Sequence, residues 1–406
     1  MPVNLPQLER LQAVPGVAVG TARAAIKYAD RDDLVVLALG PDTRAAGVFT
    51  QSDFRAAPVE IAVEHLDEVA PRALVINSGN ANAATGVPGR ADAMVVCAAV
   101  ARSLGLQPAE VLPFSTGVIG ERLPVAQMER AAAEAVAGLS DRGWEAAASA
   151  ILTTDTGPKA LSRTVTVQGV DVHVTGMAKG AGMIKPDMAT MLAFVCCDAN
   201  VTTECLQTMV RELADASFNR ITVDGDTSTN DAFLLCATGA ADHALVSGPE
   251  DAGYQELREG LGLVATELAQ RIVRDGEGAT RFVTVRVCGG ADAAESLAVA
   301  YTVAESPLVK TALFAGDPNW GRFCMAIGRS GIESLDTTRV DLFLDDVCVA
   351  RGGLVDMAYD EAEAAVVMAR EEFEVRIELG RGVAEEVVWT TDLSYEYVRI
   401  NAEYRT

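Results

Sequence analysis

Hydrophobic and polar residues recur along this chain with two periods, one typical of strands and one typical of helices. Residues 163–176 alternate with period two around Gln168-Gly169, which predicts a β-hairpin. Apolar runs bounded by turn residues predict further strands at 33–39, 46–50, 73–79, 111–120 and 232–239. Helical spacing predicts helices at about 90–104, 124–139, 144–154, 203–217 and 249–275. Hairpins among helices favour an α+β (mixed α/β) fold with antiparallel or mixed sheets.

The pattern changes near residue 283, after a turn-rich segment at 275–280. Beyond it, two helical stretches alternate with strand-like runs at 281–290, 340–350 and 373–379. A chain of 406 residues also exceeds what a single hydrophobic core usually holds. The sequence therefore predicts two domains, residues 1–283 and a smaller C-terminal α/β domain of residues 284–406.

Composition and charge narrow the classes of function. The formal net charge is −24, which argues against nucleic acid as a partner, because phosphate binding requires clustered basic residues. The longest apolar run, Met188–Cys197, is about half as long as a membrane span, and the first residues carry no apolar export signal. The eight cysteines form no CxxC pair, which predicts reduced thiols and no zinc site. These features predict a cytoplasmic protein without a membrane partner.

The segment 179–198, KGAGMIKPDMATMLAFVCCD, brings a glycine-rich loop up to one threonine, Thr190, at the entrance of an apolar run. Three of the chain's five lysines crowd around this region: Lys159, Lys179 and Lys185. Cutting the Ala189–Thr190 bond would give Thr190 a free α-amine, which titrates near about 8 and can accept the proton of the neighbouring hydroxyl. The cut would be an N-to-O acyl shift, in which the Thr190 hydroxyl attacks the Ala189 carbonyl. The alternative is a plain strand residue, and the residues alone leave both readings open.

Other polar segments offer weaker signals. Thr116 and Gly117 are predicted in a turn after an apolar strand, where a hydroxyl and a backbone N–H can converge on a developing oxyanion. An ordinary glycine turn before a helix explains the same residues. The acidic stretch 223–231 lacks the glycine and the glutamate of a calcium loop, so it predicts a tight turn rather than a metal site. The three histidines stand near no serine or cysteine elbow, and no phosphate-binding glycine motif occurs.

Taken together, these segments resemble the ornithine acetyltransferases of arginine biosynthesis, the bifunctional glutamate N-acetyltransferase family. The matching stretches are VINSGNANA, STGVIGERLP, TTDT, KGAGMIKPDMATML, SFNRITVDGDTSTND, GDPNWGR and DLSYEYVRINAEYRT. The resemblance implies a layered sandwich of sheets and helices with an N-terminal-nucleophile-like, self-processing site. It also implies a precursor cut between Ala189 and Thr190 into an α chain, 1–189, and a β chain, 190–406, which stay together as an α2β2 assembly.

The same resemblance assigns roles to individual residues. Thr190 takes the acetyl group from N-acetylornithine, and glutamate then attacks the acetyl-enzyme. Thr116 and Gly117 form the oxyanion hole. The implied substrate-binding residues are Thr156, Lys179, Thr190, Glu277, Asn401 and Thr406. Within this set we expect Lys179 to hold a carboxylate, Glu277 to pair with the ornithine ammonium group, and the chain end to return to the site as its far wall.

The resemblance implies no metal and no cofactor, with acetyl-CoA as a second acetyl donor in part of the family. Two alternatives to the transferase remain. One is a self-processing amidohydrolase or aminopeptidase of related fold, in which water replaces glutamate as the acceptor. The other is an inactive relative that serves as a binding or scaffold protein, against which the intact set of motifs argues.

Overall fold

The computed structural model describes residues 2–185 and 191–404, and three β-sheets with covering helices make up this part of the chain. Its strands are β1 (Val17–Ala22), β2 (Leu34–Leu39), β3 (Arg44–Phe49), β4 (Ala73–Asn80), β5 (Val111–Val118), β6 (Lys159–Val167), β7 (Val170–Lys179), β8 (Leu192–Cys197), β9 (Ile221–Thr222), β10 (Ala232–Ala237), β11 (Phe282–Gly290), β12 (Asp341–Leu344), β13 (Val347–Arg351), β14 (Leu354–Val355), β15 (Glu372–Glu378) and β16 (Ala384–Thr391). Its α-helices are α1 (Ala57–Glu68), α2 (Gly86–Leu104), α3 (Val125–Ala137), α4 (Trp144–Ala150), α5 (Thr203–Ala216), α6 (Tyr254–Arg274), α7 (Ala293–Ala304), α8 (Pro307–Ala315), α9 (Trp320–Gly328), α10 (Glu361–Met368) and α11 (Tyr395–Glu403).

All three sheets contain both parallel and antiparallel pairs, which confirms the mixed α/β prediction. The first sheet has the order β1-β2-β4-β5, the second β3-β10-β8-β7-β6, and the third β14-β13-β12-β15-β11-β16-β9. The predicted hairpin is confirmed as β6 and β7, joined by Gln168 and Gly169 with φ angles of 51° and 79°. Two consecutive positive φ angles suit a two-residue turn whose twist matches the strands. The helix predicted from residue 249 begins only at Tyr254, after Gly253 with a φ of 89°.

The first two sheets pack face to face and form a four-layered sandwich with their helices. Between the sheets, Phe114 of β5 meets Phe194 of β8 edge to face, with ring centroids 5.0 Å apart. Helices α2 and α3 cover the outer face of the first sheet, and α5 and α6 cover that of the second. The apolar run after Thr190 lies in this core, because β8 is buried along its whole length.

The third sheet has a hydrophobic core of its own, built from residues 283–388 and covered by α7, α8, α9 and α10. The short strand β9 pairs with β16 and so joins the edge of this sheet to the preceding part of the chain. All eight cysteines lie in the described residues and are free thiols, and burial raises the pKa of the Cys97 thiol to about 12. No helix among residues 2–185 and 191–404 is long and apolar enough to cross a membrane.

Candidate active site

A cavity of about 480 Å³ lies where the carboxyl ends of β5 and β7 meet the segment before β10 and the helix α11. Five residues that the sequence singled out line this cavity: Thr116, Gly117, Lys179, Glu277 and Asn401. Thr156, also expected to bind substrate, is not part of the lining. Ala189, Thr190 and Thr406 lie outside the described residues. The structure therefore brings together most of the described residues that the sequence analysis selected.

Thr116 and Gly117 lie inside strand β5, which agrees with the strand predicted at 111–120 and contradicts the turn predicted for these two residues. The reason is the parallel partner strand β4, which continues the pairing through Gly79 and Asn80, although with an irregular register. Gly117 has a φ of 134°, and a Cβ there would stand 2.2 Å from the carbonyl carbon of Gly79. Only glycine permits this close approach of two strand ends beside the cavity.

We expect Gly117→Ala to destabilise the protein by about 2 to 3 kcal/mol, because the added methyl group meets rigid backbone and the residue must keep a positive φ. Denaturant unfolding of the purified variant measures the change. Gly248→Ala is the matched control, since a Cβ at Gly248 has no neighbour within 4 Å, and it should shift stability by less than about 0.5 kcal/mol. Equal stability of the two variants would contradict the close approach.

Buried amides hold these strand ends in place. The side-chain Nδ2 of Asn230 donates to the carbonyl oxygens of Ala81 and Ser115, at 2.7 and 2.8 Å. The Ser115 hydroxyl donates to the Asn77 side chain at 2.6 Å. Because each buried polar group has a partner, the backbone next to Thr116 is fixed before any ligand arrives.

Lys179 is the last residue of β7 and is only 4% exposed, although it lines the cavity. Burial lowers the pKa of its ammonium group, an effect that Asp155 partly opposes and Lys159 reinforces. Asp231 and Glu277 also act on this group and favour its charged form. A buried lysine among carboxyl groups is suited to bind an anionic group of a ligand that displaces water.

Lys159 lies next to the site in a fully buried ion-pair triad. Its Nζ donates to Asp155 Oδ1 at 2.7 Å and to Asp275 Oδ2 at 2.6 Å, and all three side chains are 0% exposed. Burial alone would raise the pKa of Asp155, but the charges of Lys159 and Lys179 hold it below its usual range. Thr156 does not line the cavity. Its backbone N–H and its hydroxyl both donate to Asp275 of the triad.

Glu277 and Asn401 form the opposite wall. Asn401 of α11 donates from Nδ2 to Glu277 Oε2 at 2.7 Å, and the Glu277 backbone N–H donates to Ala181 O at 2.8 Å. Gly182 packs so closely on the Glu277 carboxyl group that a Cβ would stand 2.4 Å from it. The glutamate is thus held between the glycine loop and α11, with its carboxylate directed at the cavity.

Two residues that were not predicted from the sequence, Lys27 and Tyr404, also belong to this part of the site. Lys27 donates from Nζ to the Tyr404 carbonyl oxygen at 3.1 Å, and the same Nζ lies 4.8 Å from the centre of the Tyr404 ring. Tyr404 lines the cavity. The rarity of lysine in this chain was the signal, because Lys27 is one of only five and stands apart from the crowded three.

The acidic stretch 223–231 forms a turn that caps a neighbouring loop. Asp224 accepts hydrogen bonds from the backbone N–H groups of Met183 and Ile184, at 2.6 and 2.9 Å, and from the Tyr397 hydroxyl at 3.1 Å. Among the described residues, no group of three or more His, Cys, Asp or Glu side chains could hold a metal ion. Asp224 therefore connects the loop at residues 183–184 to α11 through ordinary hydrogen bonds.

In this four-layered sandwich, a buried lysine and a glutamate face the same cavity. The cavity therefore suits a small ligand that carries both a negative and a positive charge. The chain belongs to the ArgJ family, whose sequence model matches residues 18–406. This confirms the family to which the sequence motifs pointed.

Two named relatives align with the whole chain or nearly all of it. The chain is 50% identical over 406 residues to the arginine biosynthesis bifunctional protein ArgJ of Pseudomonas fluorescens (strain Pf0-1), covering 100% of both chains. It is 49% identical over 403 residues to the protein of the same name from Psychrobacter arcticus, covering 99% of both. A crystal structure of the arginine biosynthesis bifunctional protein argJ from Bacillus halodurans shares 38% identity, with a TM-score of 0.49, over 52% of this chain and 97% of that chain.

Proposed function

We propose that this protein is an ornithine acetyltransferase of arginine biosynthesis, which transfers the acetyl group of N-acetylornithine to glutamate by way of an acetyl ester on Thr190. The observation that carries the proposal is the cavity itself, in which Lys179 and Glu277 stand beside the Thr116–Gly117 strand end. Membership of the ArgJ family over residues 18–406 supports the same function.

Thr190 becomes the nucleophile after the Ala189–Thr190 bond is cut. In the first half-reaction, the Thr190 hydroxyl oxygen attacks the acetyl carbonyl carbon while its proton passes to the α-amine of the same residue. The bond between the acetyl carbon and the ornithine nitrogen then breaks, and that nitrogen leaves with the proton. In the second half-reaction, the glutamate amine attacks the ester carbonyl, and the Thr190 oxygen leaves and recovers a proton.

Each tetrahedral intermediate places a negative charge on the former carbonyl oxygen. Thr116 and Gly117 supply the donors that stabilise it, the first through its hydroxyl and the second through its backbone N–H. Gly117 lines the cavity near the end of β5, where the pairing with β4 becomes irregular. This position suits its backbone N–H to the role. A donor fixed before the reaction costs no reorganisation when the charge develops.

One binding site serves both substrates, because N-acetylornithine and glutamate share an α-carboxylate. Lys179 binds that carboxylate, and Glu277, held by Asn401, binds the side-chain ammonium of ornithine. Thr156 acts on the site indirectly, because its hydroxyl bonds to Asp275 and so orients this carboxylate in the triad around Lys159. Thr406, which lies outside the described residues, is the remaining substrate-binding residue of this proposal. Acetyl-CoA serves as a second acetyl donor for glutamate.

The two fragments remain associated as an α2β2 assembly in the cytoplasm. Support for their association comes from the second sheet, where β7 of the first fragment pairs with β8 of the second over six residue pairs. On the other side, β3 of the first fragment pairs with β10 of the second over six more. The strands of the two fragments therefore share one sheet and its core.

The acceptor distinguishes this transferase from a self-processing amidohydrolase of related fold. We expect ornithine release from N-acetylornithine to require glutamate beyond a single turnover, because the acetyl-Thr190 ester waits for an amine. Ornithine and N-acetylglutamate are measured by chromatography with and without glutamate. Equal, sustained ornithine release in both samples would assign a hydrolase and overturn the transferase.

A further inference from the structure

The two proposed substrates end in side chains of opposite charge. Ornithine ends in an ammonium group and glutamate in a carboxylate, although both carry the α-carboxylate that Lys179 binds. Glu277 attracts the ammonium group and repels the carboxylate, because like charges at short range oppose binding. Among the described residues that line the cavity, only Lys179 and Glu277 carry a formal charge. The far end of glutamate therefore needs a second cation close to the cavity.

Lys27, in the segment between β1 and β2, lies next to the cavity wall. A Cβ at Gly79 of β4 would stand 3.1 Å from the Cβ of Lys27, so the base of this side chain packs on Gly79. Gly79 in turn packs against Gly117, which lines the cavity. At the other end of the side chain, Nζ donates to the carbonyl oxygen of Tyr404, another lining residue, at 3.1 Å. Contacts at both of its ends thus hold Lys27 beside the cavity.

No described carboxylate neutralises the charge of Lys27. Lys159 and Lys185 pair with carboxylates at 2.6 and 3.4 Å, whereas Lys27 makes no ion pair with residues 2–185 or 191–404. Besides the Tyr404 carbonyl oxygen, its Nζ meets the rings of Tyr28 and Tyr404, whose centres lie 5.6 and 4.8 Å away. Such neutral partners hold a cation without cancelling its charge. An ammonium group has three N–H donors, and the described hydrogen bonds use one of them.

We propose that Lys27 selects glutamate as the acetyl acceptor, by binding its γ-carboxylate while Lys179 binds its α-carboxylate. The inference rests on the proposed function. A hydrogen bond between two charged groups is about twice as strong as a neutral one, so the γ-carboxylate is a better partner for Lys27 than a backbone carbonyl. The net charge of −24 opposes the approach of an anionic acceptor, and a local cation offsets this repulsion. N-acetylornithine ends in an ammonium group and gains nothing from Lys27.

The test is Lys27→Gln, with the two half-reactions measured separately. The new side chain keeps an N–H donor for the Tyr404 carbonyl oxygen but carries no charge. In a ping-pong reaction, kcat/KM for the donor and kcat/KM for the acceptor each report their own half-reaction. We expect kcat/KM for glutamate to fall about thirtyfold, as the loss of a charge-assisted hydrogen bond implies. The value for N-acetylornithine should stay within about threefold of wild type.

Free glutamine separates charge from shape, because it has the size of glutamate and a neutral end. Lys27→Gln should not lower the rate of acetyl transfer to glutamine, so the preference for glutamate over glutamine should shrink about thirtyfold. A change in the shape of the Tyr404 wall would affect both acceptors alike.

Three further variants protect the test against a folding or charge artefact. Lys27→Met, which removes both the donor and the charge, should show the same difference between acceptor and donor. Lys27→Arg keeps the charge and should hold kcat/KM for glutamate within about fivefold of wild type. Arg102→Met removes one positive charge from an exposed ion pair and should leave both values unchanged, since a distant surface charge is screened by salt.

The pattern of losses decides the matter. A kcat/KM for glutamate within threefold of wild type in Lys27→Gln overturns the inference. So does an equal loss toward N-acetylornithine and glutamate in both neutral variants, because that pattern describes a residue that only holds Tyr404 in place. An equal loss in Arg102→Met overturns it as well. Wild-type protein that transfers no acetyl group to glutamate overturns the proposed function instead, so the two failures are distinguishable.

Discussion

Thr190→Ala leaves the chain uncut and acetyl transfer undetectable, with a loss of about a millionfold, as expected when a covalent nucleophile is removed. Without the hydroxyl, neither the N-to-O shift at Ala189 nor the acetyl ester can form. Denaturing electrophoresis should show one band for the variant and two for the wild type. Mass spectrometry of wild type mixed with N-acetylornithine should find one acetyl group on the fragment that begins at Thr190.

Two controls bracket this result. Thr190→Ser keeps an alcohol and should cut and transfer at a reduced rate, because serine can perform the same chemistry. Thr208→Ala removes an exposed hydroxyl on α5, which bonds only within its own helix, and should change neither cutting nor transfer. Acetyl transfer by a continuous, uncut polypeptide would remove the basis of the mechanism.

Lys159→Met destabilises the protein by about 3 to 5 kcal/mol, because it leaves two buried carboxylates without their shared cation. Denaturant unfolding at neutral pH measures the loss. Arg102→Met removes one cation from an exposed pair with Glu129, whose side chains are 64% and 37% exposed, and should cost less than about 1 kcal/mol. A similar loss in both variants would show that the triad around Lys159 is no stronger than a surface pair.

The effect of Lys159→Met should also depend on pH. The folded protein holds the pKa of Asp155 below its ordinary value of 3.8, so this stabilisation is fully present above that pH and is lost as the pH falls through the folded value. In the variant, Asp155 lacks this partner and gains less from ionising. The difference in unfolding free energy between wild type and variant should therefore shrink as the pH falls below about 4.

Local patterns predicted the elements that have a strong period or strong turn residues. The hairpin around Gln168 and Gly169 and the buried strand β8 are examples. The pattern did not predict α11, which has no buried residue and hence no apolar stripe. It also misplaced Thr116, because the strand is extended by pairing with β4, a partner more than thirty positions away.

The candidate site was predictable where its residues sit in distinctive motifs and not where they depend on distant partners. Three lysines lie close together in the sequence, but the structure gives them different environments. Beside the cavity, the charge of Lys159 helps to lower the pKa of Lys179, whereas Lys185 pairs with Glu305 at 3.4 Å. Asp275 lies 116 positions from Lys159, so no local pattern could reveal their contact.

The strand order of the second sheet bears on how the mature protein can be made. In the order β3-β10-β8-β7-β6, the adjacent strands β10 and β8 come after the proposed cut, and this pair lies between strands that come before it. Neither product of the cut can complete this layer alone. We therefore expect the proposed cut to follow assembly of the sandwich, with the intact chain serving as the folding template. Separately synthesised halves would have no simple means of forming this sheet.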